Sequence, residues 1–259
     1  MCIYLLLSVL LASSLTHTAS EDLSKSLNKL VAKQTFEEAA WAKDYYKKSG
    51  DKDMFLKCGE RMLALGGDPE LVRITTLELA QTGLDLGNFE TAQKYALEYQ
   101  TLYPGTPEAK KASYIGIKAY FLSTLSPDRD QAPTQKTIEL GEKFLKTYPD
   151  DTEYAKSIKD MLDGCYSKIL ESEINVINTY ISRYKYNKRE GALTAANKRL
   201  AYIKENVLPH TVNQQQRVSA LETRLAQLTP KPKVAPLIAS TQPDRILAQV
   251  PTTKVETKA

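Results

Sequence analysis

PELVRITTLELAQTGLDLGNFETAQKYALEYQTLYP, residues 69–104, is the stretch whose reading decides the fold. Pro69 suits the first turn of a helix, where its missing N–H has no partner to lose. Apolar residues then recur at helical spacing as far as Leu86-Gly87-Asn88, and resume until Tyr103-Pro104 stops the pattern. Two amphipathic helices joined by a short turn follow from this. Ala80, Gly83 and Ala92 place small side chains where the helices would touch, and Leu79, Leu86, Phe89 and Tyr95 are expected to supply the bulk between them. Such a hairpin cannot bury its faces alone and has to stack on others.

The punctuation recurs. Tyr148-Pro149 and Leu208-Pro209 end later helical stretches, each with a turn-forming or capping residue close behind: Asp150-Asp151 and Thr211, as Thr106 follows Tyr103-Pro104. The spacing predicts further helices at about 23–48, 52–65, 107–124, 134–148, 152–186, 189–206 and 211–228, while β-branched alternation is scarce. The expected fold is all-α: a TPR-like (tetratricopeptide-like) α-solenoid of about five hairpins over residues 21–228. Cys58 and Cys165 fall inside helical patterns and read as small buried side chains rather than a bridge.

Both ends differ from this body. Residues 3–15 form an apolar run of thirteen, too short to cross a bilayer as a helix, followed by small polar residues; residues 1–20 read as a secretory signal. Residues 229–259 hold five of the twelve prolines and no glycine, and read as a disordered, basic tail in which Ile246, Leu247 and Val250 are the one candidate docking strip. The tail carries five basic and two acidic residues, so most of the net charge of +4 belongs to it and the body is nearly neutral. Composition therefore gives no argument for nucleic acid as a partner.

From Tyr103 to Leu225 the chain resembles the BamD family of outer-membrane assembly proteins. The resemblance is carried by YPGTPEAKKASYIGIKAYF (103–121), SPDRDQ (126–131), LKTYPDDTEYAKSIKDML (145–162) and KILESEINVINTYISRYKYNKREGALTAANKR (168–199), in that order and spacing. It implies a non-catalytic periplasmic scaffold at the outer membrane. The implied partners are the Omp85-type (BamA-like) β-barrel subunit, other assembly lipoproteins and unfolded outer-membrane protein substrates. By the same resemblance Glu171, Asn197 and Lys198 are expected at the contact with the barrel subunit, and the groove of residues 23–104 at the substrate. Two departures are visible. Residues 13–22 hold no cysteine, where the family carries its lipid-anchor cysteine, and Lys198 stands where the family has arginine, keeping the charge but losing the bidentate fork.

The residues themselves offer little catalytic chemistry. No cofactor or metal is expected: CxxC and Cys/His spacings are absent, and Asp128-Arg129-Asp130 lacks the ligands and glycine of a calcium loop. It reads as a salt-bridged surface insertion. Asp150 and Asp151 read as helix caps, and His210 has no nucleophile or carboxylate pattern beside it. Trp41, Tyr45 and Tyr46, at i, i+4 and i+5, are candidates for presenting flat amphipathic surfaces to a partner; the alternative is that Trp41 and Tyr45 pack against the helix at 52–65. Tyr114, Tyr120 and Phe121 read as packing between repeats. Tyr180, Tyr184 and Tyr186, among Arg183, Lys185, Lys188 and Arg189, could meet single-stranded nucleic acid, but in an exported chain a protein contact or solvated helix end is the better reading. Two other functions remain open: an exported TPR adaptor of the division or transport apparatus, and remotely a helical muramidase using Glu171 or Glu173.

Overall fold

The helices begin and end where side chains can satisfy their unpaired backbone groups. In a computed structural model, residues 25–228 are described, and within them lie nine α-helices: α1 (Phe36–Ser49), α2 (Lys52–Leu65), α3 (Pro69–Asp85), α4 (Phe89–Leu102), α5 (Ala109–Leu122), α6 (Ala132–Thr147), α7 (Ala155–Asn187), α8 (Glu190–Tyr202) and α9 (Gln215–Leu228). The signal and tail readings, with the strip at Ile246, Leu247 and Val250, fall outside the described residues. Asp68 accepts from the N–H groups of Glu70 and Leu71, and Asn88 from that of Thr91, fixing the starts of α3 and α4. Gly87, at φ 73°, makes the left-handed turn between those helices.

The first helix is shorter than its sequence pattern suggests. Residues 25–28 and 31–33 form separate 3₁₀ turns, and α1 starts only at Phe36. The cause is a capping box: Thr35 Oγ1 accepts from the Glu38 N–H (3.3 Å) and Glu38 Oε2 accepts from the Thr35 N–H (2.8 Å). That T-x-x-E signal was present in the sequence and outranks the apolar periodicity before it.

α1/α2, α3/α4, α5/α6 and α7/α8 form four antiparallel hairpins, and α9 packs on α8 in the place of a fifth. The first helices of successive hairpins touch, α3 on α5 and α5 on α7, and Lys43 of α1 reaches Thr75 of α3. The second helices approach one another less closely, so the first-helix side forms the concave layer. This is the TPR-like array that the sequence predicts.

Small residues set the closest crossing. A Cβ added at Gly83 would lie 2.9 Å from the backbone nitrogen of Ala92, and Ala80, Ala92, Leu79 and Tyr95 are buried around that point. Leu86 departs from expectation: it is 39% exposed, because it sits at the C-terminal cap of α3 and the turn carries its side chain out of the interface.

α7 has 33 residues, and at 1.5 Å per residue it is about 50 Å long. Its first half packs on α5 and α6, its second on α8 and the π turn Ile203–Val207. Ile158, Ile177, Ile181 and Ile203 are fully buried in the core along it. Cys58 and Cys165 are buried and unbridged, and burial pushes both thiols up to about 11.

Candidate protein-binding surfaces

The first candidate surface is a pocket of about 300 Å³ on the concave layer, where the turn after α1 brings Tyr46, Phe55 of α2 and Leu77 of α3 together. Lys47, Lys52 and Lys111 stand around this apolar floor. Beside it, Lys43 is buried and donates to Thr75 Oγ1 (3.2 Å) and Glu78 Oε2 (3.1 Å), while Lys47 pairs with the other Glu78 oxygen. Burial alone would raise the Glu78 carboxyl; the two lysines outweigh it and hold the group below its ordinary range. The ion pairs fix the first hairpin on the second, with Lys52–Asp85 (3.2 Å) as a further tie.

The three aromatic residues of α1 have different fates. Tyr46 packs against the core and lines the pocket. Tyr45 is 45% exposed and stacks on the half-buried Trp41 (5.8 Å, 18°), with Tyr46 edge-on to it at 5.4 Å. The helix turn thus divides the group into one inward ring and an outward stacked pair.

The second candidate surface lies on the last hairpin. Glu171 of α7 pairs with Arg217 of α9 (2.6 Å). Glu173 accepts from Arg199 of α8 at 2.8 and 2.7 Å. Asn197 and Lys198 are exposed on α8. The structure therefore gathers Glu171, Asn197 and Lys198 onto one α-hairpin unit without bonding them to each other. Sequence reading missed Arg199 and Arg217, because ion pairs across 26 and 46 positions leave no local pattern. Arg199, one place beyond Lys198, is the cation that the fold engages.

The other singled-out residues serve structure. Asp151 accepts from the N–H groups of Tyr154 (2.7 Å) and Ala155 (2.8 Å) at the start of α7, and from Lys110 of α5 (2.8 Å). Its side chain is only 1% exposed, and the Lys110 ammonium, with the two amides, holds it below the usual carboxylate range. Asp130 accepts from the Ala132 N–H (2.9 Å) at the start of α6, and among the described residues Asp128, Arg129 and Asp130 form no ion pair, so the loop serves as a capping element and not as the salt-bridged insertion expected. Tyr114 stacks on Tyr154 (4.5 Å), and Phe121 packs on the core. His210 stacks flat on Tyr166 (4.4 Å), whose hydroxyl donates to Glu142.

Stacked hairpins with a concave layer, a basic-rimmed apolar pocket at one end and a charged face at the other define a TPR-like helical-repeat scaffold. The chain belongs to the YfiO family of outer membrane lipoproteins, whose model matches residues 69–234. A similar protein is the outer membrane protein assembly factor BamD of Caulobacter vibrioides, 30% identical over 81 residues that make up 31% of this chain and 26% of the relative. The chain thus matches about a quarter of the length of that curated relative. The resemblance read from Tyr103 to Leu225 falls within the family match. No helix among the described residues is long and apolar enough to cross a membrane.

Proposed function

We propose that this protein is a non-catalytic scaffold in the assembly of outer-membrane β-barrel proteins, held at the periplasmic face of the outer membrane. Its concave layer receives segments of unfolded barrel substrates, and its last hairpin docks to an Omp85-type barrel subunit. The observation that carries the reading is the pocket floored by Tyr46, Phe55 and Leu77 and ringed by Lys47, Lys52 and Lys111. An apolar floor takes a bulky side chain; Lys47 and Lys52 are paired with Glu78 and Asp85, so Lys111 is the rim ammonium left to favour a carboxylate beside it. Binding and positioning need no reacting group, in keeping with the family.

Docking is assigned to Glu171, Asn197 and Lys198. Lys198→Glu is the clean probe, since Lys198 is exposed on α8, whereas Glu171→Lys also confronts Arg217. Tagged full-length chain recovered from solubilised envelopes is expected to bring an Omp85-type barrel with it, and Lys198→Glu to reduce that recovery with helical circular dichroism unchanged. Recovery of no such barrel refutes the scaffold reading. Recovery that neither substitution alters refutes the docking residues alone.

A further inference from the structure

We infer that the tip of the α7–α8 hairpin is a docking surface for an anionic lipid bilayer. α7 is tied to the third hairpin as far as Lys168, whose ammonium donates to Thr124. Beyond it, from Glu171 to Asn187, it packs on α8 and the π turn and is tied to α9 through Glu171–Arg217 and Asn178–Arg224. Seventeen residues of helix rise about 25 Å, so the tip projects well past α6.

Four cations crowd that tip. Arg183, Lys185, Lys188 and Arg189 are all exposed, and among the described residues none of them pairs with a carboxylate. Lys188 lies over the Tyr184 ring at 5.5 Å. Elsewhere in the body unpaired lysines such as Lys48, Lys57, Lys94, Lys143 and Lys156 lie among acidic neighbours in sequence or are spread over the surface, and Lys43, Lys47, Arg73, Lys110, Arg199 and Arg217 are each held by an acidic side chain; the tip differs in gathering four open cations within seven positions. Glu190 is the one acidic residue between positions 183 and 190.

Tyr186 stands among these cations at 93% exposure, well above any other large apolar or aromatic side chain described. A tyrosine ring is poorly placed in water, but fits the boundary between headgroups and acyl chains, where the ring is buried and the hydroxyl stays wet. Cations around it match phosphate headgroups, and each basic residue near an anionic surface strengthens binding roughly fivefold. A convex tip with one protruding ring suits a flat surface better than a groove. The family's description as outer membrane lipoproteins puts such a surface within reach. The inference goes beyond the scaffold reading and does not depend on the barrel partner.

Flotation of the full-length chain with vesicles tests it, comparing neutral phosphatidylcholine with the same lipid carrying about 30 mol % phosphatidylglycerol. The readout is the increment due to the anionic lipid, so any binding of the apolar N-terminal stretch to neutral vesicles cancels. In about 0.1 M salt the increment should be at least tenfold, and about 0.5 M salt should remove most of it. Arg183→Glu, Lys185→Glu, Lys188→Glu and Arg189→Glu together should lower it at least tenfold, leaving whatever share the basic tail contributes. Tyr186→Ser should lower it a few-fold on both sides of the salt range. Should the charge-reversed chain lose helical circular dichroism, Arg183→Gln with Lys185→Gln replaces it, with an expected loss of roughly 25-fold. An increment absent from the unaltered chain, or preserved in the substituted one, overturns the inference. So does a result in which these residues govern capture of single-stranded oligonucleotide or of the barrel subunit but not flotation.

Discussion

The two ends of the array are held together by different means. In the first two hairpins the core is made of Ala80, Ala92 and Ala96 beside Phe55, Leu79 and Tyr95, and the helices approach until backbone meets backbone at Gly83. The hairpins are then registered by buried polar ties, Lys43 to Thr75 and Glu78 above all. In the last two hairpins one long helix serves both units, and the core along it is aliphatic: Ile158, Ile169, Ile174, Ile177 and Ile181. A repeat built on small residues is geometrically strict and leaves a regular concave layer. In the later repeats a 33-residue helix packed through buried isoleucines runs on past the third hairpin as an arm. The candidate substrate pocket lies in the strict part, and the docking and tip surfaces lie on the arm.

The largest expected effect is at Ile177, which is fully buried in the arm. Ile177→Ala should cost about 4 kcal/mol through lost transfer energy and an unfilled cavity. In a stacked array the damage should stay near its site, so hydrogen exchange should quicken in α7 and α8 before α3 and α4. Equal quickening throughout would show that the two regions form one cooperative unit, and the contrast drawn between them would fail.

The next effect probes the polar tie. Glu78→Gln leaves the buried Lys43 with the exposed Asp44 (3.4 Å) as its remaining charged partner and should cost about 3 kcal/mol, measured as a shift in the urea midpoint. It also carries a pH signature. The folded Glu78 carboxyl is held below its unfolded value, so the stability it adds is complete above the ordinary carboxylate range near pH 4 and is lost as pH falls through the lowered folded value. Glu78→Gln should flatten that acid limb for the first hairpins. Asp151, lowered by Lys110 and two backbone amides, should keep an acid limb for the start of α7.

The smallest effect sharpens the comparison most. Gly83→Ala meets the backbone of Ala92, which cannot step aside, and should cost about 2 kcal/mol. Gly141→Ala meets the Leu162 side chain at 2.9 Å, which can rotate, and should cost about 1 kcal/mol or less. Thermal unfolding of the two variants reads the difference. If Gly141→Ala proves the costlier, strictness of packing does not distinguish the two ends.

Much of this was legible in advance. The hairpin of residues 69–104, the small residues of its crossing, the buried thiols and the cap at Asp151 could all be read locally, because each depends on neighbours within a turn or two. The misreadings have the same root. Periodicity alone extends α1 past the Thr35–Glu38 box, and spacing alone puts Leu86 inside although it stands at a cap. Lys43–Glu78, Glu173–Arg199 and Glu171–Arg217 were out of reach, since each joins residues 26 or more positions apart.

By itself, then, the sequence determined a stack of amphipathic helical hairpins, its punctuation and its family resemblance, since helix formation, capping and amphipathicity are local properties. Only the tertiary structure decided which charges are paired and which are left open to solvent. It drew Tyr46 inward and left Tyr45 outside, and it carried Arg183, Lys185, Lys188 and Arg189 out on an arm with no carboxylate to meet them. The physical reason is that an ion pair or a pocket depends on distances through space, and these are fixed by how the hairpins pack rather than by their order along the chain.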